Sequence, residues 1–478
     1  MNDQALKISK KTFISSVLIL LLLMICAGVL ALTIPQGSYE RTIANGREVV
    51  VADSYTPVTN GQRLPFYRIF TAPFEVLASE DGTTIMGIIL FIILISGSIG
   101  LLNQSGVMSY AMERVVEKNR EHRYRLLLLI TFIFMFFGAF VGVFEESATL
   151  VPFAAALSMA MGWDSLVGLG MSVLAAGFGF ATAVSNPFTL SIAQQMAGLP
   201  IYSGFIFHLI CFFIIYGILA AFLYRYAKKI DQSPEKSLTR GIEKQLQHTE
   251  RSYSPERKRG LEAGVKIFII AIALVILVVI SGVLIPAIGS NALILMILPL
   301  TAGSILSARV SRYSRHILRD FLKGIIGMLP AVLLILMASS IKLIVSNGQI
   351  LDTILYYASQ AAKNAGSFAC IPVIYLFVLI LNFFISSGSA KAFLVMPIIT
   401  PLADLVGITR QTAVVAFCFG DGFRNVIYPT NPVLLICLGM TVVSYGRWFR
   451  WTWKLQLLIL AVTTALLYAA YGIGLGPF

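Results

Sequence analysis

Seven apolar runs, 13–34, 85–102, 203–226, 265–285, 291–308, 323–345 and 451–474, constrain this chain more than any other feature. Each is close to the length of about 20 residues that a helix needs to cross hydrocarbon. Backbone amides in lipid must be satisfied within the segment, so the runs are expected to be helices. Composition agrees: of 478 residues, 57% are hydrophobic and only 12% charged, about half the usual share of about 25%. Such a chain cannot cover a water-facing surface, which excludes a soluble enzyme, a disordered chain and a nucleic-acid binder. Five cysteines (Cys26, Cys211, Cys370, Cys418, Cys437) sit in apolar runs without metal-ligand spacing and read as small buried hydrophobes. Neither a Walker motif nor a Ser-His-Asp constellation stands in the sequence, so no cofactor and no enzymatic chemistry are expected. Lys7, Lys10 and Lys11 precede the first run as in a signal peptide, but no small-residue cleavage site stands out, and the run is expected to remain as a span.

Basic residues orient the spans. With the N-terminus in the cytoplasm, 27 of the 36 lysines and arginines fall on the cytoplasmic side and six outside, as the positive-inside rule requires. The net charge of +13 is then a topology signal. The chain divides into an N-terminal tail and first span (1–34), an extracytoplasmic loop (35–84) with strand-like stretches such as 47–52 and a turn at Asn60-Gly61, and a first repeat (85–226). A cytoplasmic linker (227–262), a connecting span (263–290) and a second repeat with the last span (291–478) follow. Trp448, Trp451 and Trp453 read as an interfacial anchor.

The repeats show as landmarks in register. Pro152, Gly162, Gly177, Phe178, Asn186 and Pro187 recur 245 residues later as Pro397, Gly407, Gly422, Phe423, Asn431 and Pro432. At the same offset Ser185 meets Thr430 and Glu146 meets Lys391, while Gly106 meets Gly348 at an offset of 242. A series this long indicates internal duplication. Span 85–102 runs inward and 323–345 outward, each leading to an amphipathic stretch (103–118 and 348–363). The copies are therefore expected in opposite orientations, a pattern typical of transporters.

Two segments in each copy are too short or too polar to span. Residues 126–161 form a hairpin with the polar tip Glu145-Glu146-Ser147-Ala148-Thr149, and 368–406 form a second with the tip Ser386-Ser387-Gly388-Ser389-Ala390-Lys391. Next come helices interrupted in their middle, 166–198 at Ser185-Asn186-Pro187 and 411–440 between Asp421 and Pro432. Proline removes a backbone donor, and glycine and asparagine tolerate unwound backbone. Unwound backbone at that depth must be buried in protein or line a cavity. Two tips and two breaks therefore converge, with N–H ends suited to a carboxylate and freed carbonyls suited to a cation. The fold class expected is an all-α polytopic membrane protein with two inverted-topology repeats, each holding a re-entrant hairpin and a broken helix.

The motifs EESATLVP, ATAVSNP, SSGSAK and GDGFRNVIYPTNP resemble those of the family that groups anaerobic C4-dicarboxylate carriers with arginine/ornithine antiporters, within a wider ion-transporter superfamily. The resemblance covers nearly the whole chain. It implies a scaffold forming a homodimer in the bacterial inner membrane and a transport domain with an elevator-like movement. In Ser185-Asn186-Pro187 and Thr430-Asn431-Pro432, proline stands where the superfamily motif has its usual third residue.

Five ionisable residues lie in the converging segments: Glu145, Glu146, Lys391, Asp421 and Arg424. Charges at such depth are costly and mark function by default. Arg424, with the hydroxyls of Ser387, Ser389 and Thr149, suits a substrate carboxylate. Glu145, Glu146 and Asp421 suit a substrate amine or guanidinium, or a transported proton. Internal salt bridges, Glu146 with Lys391 or Asp421 with Arg424, are the competing reading. Ser147, Ser185, Asn186, Gly388, Asn425, Thr430 and Asn431 complete the expected site. Three acids against two bases favour a basic amino acid as substrate over a C4-dicarboxylate, the alternative. The coupling ion, H+ or Na+, stays open in the sequence. His208 reads as a hydrogen-bonded packing residue.

Overall fold

The computed structural model describes residues 10–44, 47–51, 53–58, 63–79, 82–239, 255–284, 292–313, 316–363, 366–385, 387–441 and 443–476. Lys7, Ala52, the turn at Asn60-Gly61, linker residues 240–254 and the tip residue Ser386 lie outside the described residues. The chain is mostly helical. Among the described residues, eight helices are long and apolar enough to cross a membrane.

The first half opens with α1 (Lys10–Thr33), followed by strands β1 (Gly37–Ser38), β2 (Arg41–Ala44), β3 (Arg47–Val50) and β4 (Thr56–Pro57). β2 pairs antiparallel with β3, Arg41 opposite Val50, and β1 with β4. Two-stranded ribbons are marginal alone, and this one is anchored elsewhere. Asp352 accepts from Arg41 Nη2 at 2.9 Å and from the Tyr39 amide at 3.0 Å, and the Tyr55 ring stacks on Tyr356. Then come α2 (Arg68–Glu75), α3 (Gly82–Ser105), α4 (Val107–Asn119), α5 (Arg123–Phe136), α6 (Val151–Ala160), α7 (Ser165–Leu169), α8 (Ala175–Thr182), α9 (Leu190–Met196) and α10 (Phe205–Gln232).

The second half holds α11 (Pro255–Leu284), α12 (Ala292–Val310), α13 (Ile317–Asn347), α14 (Leu351–Lys363), α15 (Gly366–Leu381), α16 (Gly388–Val406), α17 (Arg410–Phe423), α18 (Pro432–Gly439) and α19 (Tyr445–Gly472). Each of the seven expected runs lies on a helix, 13–34 on α1 and 291–308 on α12. Three further helices of crossing length, Arg123–Val141, Ser165–Thr182 and Gly388–Val406, belong to the segments read as hairpins and a broken helix.

Packing places α3 against α13 and α8 against α17. α10 runs on to Gln232 and α11 begins at Pro255, so both ends of the linker are helical. Its first residues fold back: buried Asp164, which caps α7 through the Val167 amide at 3.1 Å, also accepts from Ser237 Oγ and Tyr226 Oη, each at 2.8 Å. Burial holds the Asp164 carboxyl above the usual aspartate range.

One expectation is corrected. Trp448 and Trp451 are buried, and only Trp453 of the three is exposed. The Trp448 indole donates to Val426 O at 2.7 Å, so this tryptophan serves the interior instead of the membrane interface.

Candidate functional site

The first hairpin climbs through α5 and a widened turn, Phe137–Val141, breaks at Gly142, and returns through a tight turn, Glu146–Leu150, into α6. Gly142 sits at φ +76°, a left-handed conformation that glycine adopts without strain. A Cβ there would also stand 2.5 Å from Asn186 Oδ1, so the tip is pressed against the first break. That break begins where Ala183, at φ +45°, ends α8. Ser185 ties it to the hairpin: its amide donates to Ala139 O at 3.1 Å and its hydroxyl to Phe140 O at 3.0 Å. Asn186 is fully buried; its Oδ1 accepts from the Phe188 amide at 2.9 Å, while its Nδ2 has no hydrogen-bond partner among the described residues.

The second hairpin rises through α15, turns over 382–385, and returns as α16, capped by Ser387 Oγ accepting from the Ala390 amide at 3.3 Å. α17 ends in the tight turn Arg424–Val426, and the chain re-forms as α18. Asn431 caps α18, accepting from the Val433 amide at 2.9 Å, and its Nδ2 donates to Asn425 Oδ1 at 2.8 Å. Asparagine before proline suits this place, since the proline at the first helical position has no N–H to satisfy.

The two halves interlock at these points. The tight turn Glu146–Leu150 packs on α18, and α16 packs on α9. Gly422 lets the backbone of Ala181 approach, and the rings of Phe178 and Phe423 meet edge-to-face at 5.4 Å. A Cβ on Gly388 would lie 2.6 Å from Asp421 Oδ2, so the second tip lies directly against the second broken helix.

The ionisable residues divide into two groups. Lys391 and Asp421 form a fully buried ion pair, and the Lys391 ammonium also donates to Asn382 Oδ1. Of the competing internal pairings, Glu146 with Lys391 does not form: the partner of Lys391 is Asp421. Arg424 is buried, donates through Nη1 to Asn382 O at 3.3 Å and lies within electrostatic reach of Glu145. Glu145 is exposed and Glu146 half-buried, and neither forms an ion pair among the described residues. Several expected ligands are instead occupied locally. The hydroxyl of Ser147 donates to Phe144 O at 2.6 Å and that of Thr149 to Glu146 O at 2.8 Å. Ser387 is exposed, with Ser389 Oγ 3.3 Å away, and the buried hydroxyl of Thr430 has no hydrogen-bond partner among the described residues.

Sequence reasoning missed Asn382, which joins Lys391, Arg424 and, through Nδ2 at 2.6 Å, Gly420 O. The signal was available: it is an amide inside an otherwise apolar run. The carbonyls freed by the breaks, expected to suit a cation, are in three places occupied by donors. Trp448 takes Val426 O, Tyr445 Oη takes Ile427 O at 2.7 Å, and His208 Nδ1 pairs with Thr182 O at 2.8 Å. Among the described residues no group of three or more His, Cys, Asp or Glu could hold a metal ion.

Long apolar helices surrounding buried charge define a multi-pass membrane protein, and comparison gives its class. The chain belongs to the family described as C4-dicarboxylate anaerobic carrier (DcuC), which it matches over residues 13–472. It is 30% identical over 430 residues to YfcC of Escherichia coli (strain K12), covering 84% of each chain; that protein is provisionally named a basic amino acid antiporter. An uncharacterized protein of Haemophilus influenzae is 26% identical over 382 residues, covering 80% of this chain and 74% of the relative. Among solved structures, the YdaH transporter of Alcanivorax borkumensis overlaps with a TM-score of 0.40 at 18% identity, covering 98% of this chain and 100% of that one. The antimetabolite efflux pump MtrF of Neisseria gonorrhoeae overlaps with a TM-score of 0.42 at 16% identity, covering 95% and 94%. The family is one of transporters, and its substrates are small molecules.

Proposed function

We propose that this protein is a secondary transporter of amino acids, an antiporter of the arginine/ornithine type, acting through the site between two hairpin tips and two broken helices. One observation carries the substrate class. Lys391 is consumed by Asp421, Glu145 and Glu146 stand outside any ion pair among the described residues, and with Arg424 the five groups count three acids against two bases. The site is short of one positive charge. A guanidinium or ammonium group supplies it, whereas a dicarboxylate adds to the deficit. Glu145 and Glu146 then receive the cationic end of the substrate. Arg424, the Ser387 and Ser389 hydroxyls, and the Asn186 Nδ2 and Thr430 hydroxyl, which have no hydrogen-bond partner among the described residues, receive its carboxylate. The name of the Escherichia coli relative supports this reading over the dicarboxylate one.

The same proposal includes two inverted repeats, a homodimeric scaffold, an elevator movement, and an inner-membrane location with the N-terminus in the cytoplasm. The repeats are supported by mirrored packing as well as by the 245-residue register. Phe137–Val141 packs on α8 as α15 packs on α17, and Glu146–Leu150 meets α18 as α16 meets α9. Proteoliposomes loaded with ornithine are expected to take up labelled arginine. Inactivity there beside active succinate exchange would overturn the substrate claim.

A further inference from the structure

The second hairpin is fastened to its broken helix by a buried charge pair and a shared asparagine, whereas the first is tied to its break by two hydrogen bonds from Ser185 and the close approach of Gly142. Lys391 on the returning arm holds the Asp421 carboxylate, with both side chains essentially inaccessible to solvent. Asn382, at the head of the rising arm, donates to Gly420 O at 2.6 Å and accepts from Lys391, so both arms are bound to the same turn of α17. Gly388 removes the one Cβ that would keep the tip from reaching Asp421 Oδ2. At the corresponding place in the first half, Glu146 makes no ion pair among the described residues.

We propose that Lys391, Asp421 and Asn382 form a latch that holds the second hairpin shut on the second broken helix, with Lys391 as a positioning residue that also keeps the Asp421 carboxylate from the cationic end of a substrate. The hairpins are then unequal: the first presents carboxylates, and the second moves when the latch opens. A buried pair suits this role because each charge is strongly disfavoured without the other, so the interaction is made whole or broken whole. Three bonds sharing one lysine and one asparagine also break together, which gives two discrete states and no continuum between them. The inference rests on the transporter reading only in calling the movement a gate.

Hydrogen–deuterium exchange of the purified full chain, read by mass spectrometry without substrate, tests it apart from any transport assay. In Lys391→Met/Asp421→Asn, which removes both charges, amides at 382–391 and 418–424 are expected to exchange at least tenfold faster. The helix Phe205–Gln232 should stay unchanged, and Lys391→Arg should remain close to the parent protein. Unchanged exchange at 382–391, or an equal rise along the whole chain, overturns the latch. Should the double variant fail to fold, Asn382→Leu keeps the charges, removes two of the three bonds, and must show the same local increase or the proposal fails. Arginine exchange can fail while the latch stands, and the latch can fail while arginine exchange stands.

Discussion

The two hairpins hold an ionisable residue at corresponding positions, Glu146 and Lys391, and the molecule treats them oppositely. Lys391 is enclosed, paired with Asp421 and bonded to Asn382. Glu146 is half-buried at a tip where its neighbour Glu145 is exposed, and both lie outside any ion pair among the described residues. The two tips stand at corresponding places in the sequence, and charge separates their roles. An enclosed pair contributes fixed geometry, whereas an accessible carboxylate contributes affinity for something that arrives. The backbones differ as well: Glu146 opens the tight turn Glu146–Leu150, whereas Lys391 lies in the first turn of α16.

The sharpest way to break this contrast is to remove one charge from each hairpin. Lys391→Met leaves Asp421 buried without its counter-ion, which costs about 3–5 kcal/mol. Unfolding of the purified protein in detergent should show that loss, while Glu146→Gln should leave the midpoint nearly unchanged. Equal losses in the two variants would mean that Glu146 is as structural as Lys391. Function should order them differently. Replacing Glu145 and Glu146 together by Gln removes charge-assisted contacts to a cationic substrate, each of about 1.5–3 kcal/mol. Half-saturation for arginine in an exchange assay is expected to rise at least about tenfold per lost contact. Unaltered arginine uptake in the double Gln variant would remove the first tip from the site.

Backbone geometry gives a smaller effect on the same comparison. Gly142→Ala forces a left-handed conformation on a residue with a Cβ, costing about 1–2 kcal/mol, and pushes against Asn186 Oδ1. In the second hairpin Gly388→Ala meets no such backbone penalty and instead crowds Asp421 Oδ2. Gly142→Ala should therefore lower stability, and Gly388→Ala should mainly loosen the hold on Asp421, seen as faster amide exchange at 418–424. Equal effects in the two variants would mean that the two tips are stabilised in the same way.

How much of this was legible in the sequence follows from what each feature depends on. Apolar runs of bilayer length and the Asn-Pro breaks are local, so the helices and their interruptions near 183–189 and 427–431 stand where residue types alone place them. Partner choice is not local. Lys391 has acids in two segments to choose from, and the selection of Asp421 depends on how α16 lies along α17, which no spacing encodes. Trp448 misled for a related reason. Arginines beside tryptophans imitate an interfacial belt, but a carbonyl freed at Val426 needs a donor, and a break in one helix recruits it from the next. Asn382 carries no charge and so gives a weaker signal in the sequence, although an amide within an apolar run must also find partners.

The smallest effect separates the two breaks themselves, at Ser185 and Thr430, which correspond in register. Ser185 is already committed: its hydroxyl donates to Phe140 O at 3.0 Å and joins the first break to the first hairpin. Thr430 is buried, and its hydroxyl has no hydrogen-bond partner among the described residues. Removing a made bond lowers stability by about 1 kcal/mol, whereas removing a buried hydroxyl that makes none is close to neutral or stabilising. Ser185→Ala should thus lower the unfolding midpoint slightly, and Thr430→Val, which keeps the shape, should not. Transport should invert the order, because only the uncommitted hydroxyl is available to a substrate carboxylate. Arginine exchange is then expected to fall more in Thr430→Val than in Ser185→Ala. If Ser185→Ala instead impairs exchange more while leaving stability intact, the first break and not the second holds the carboxylate, and the roles assigned to the two halves exchange places.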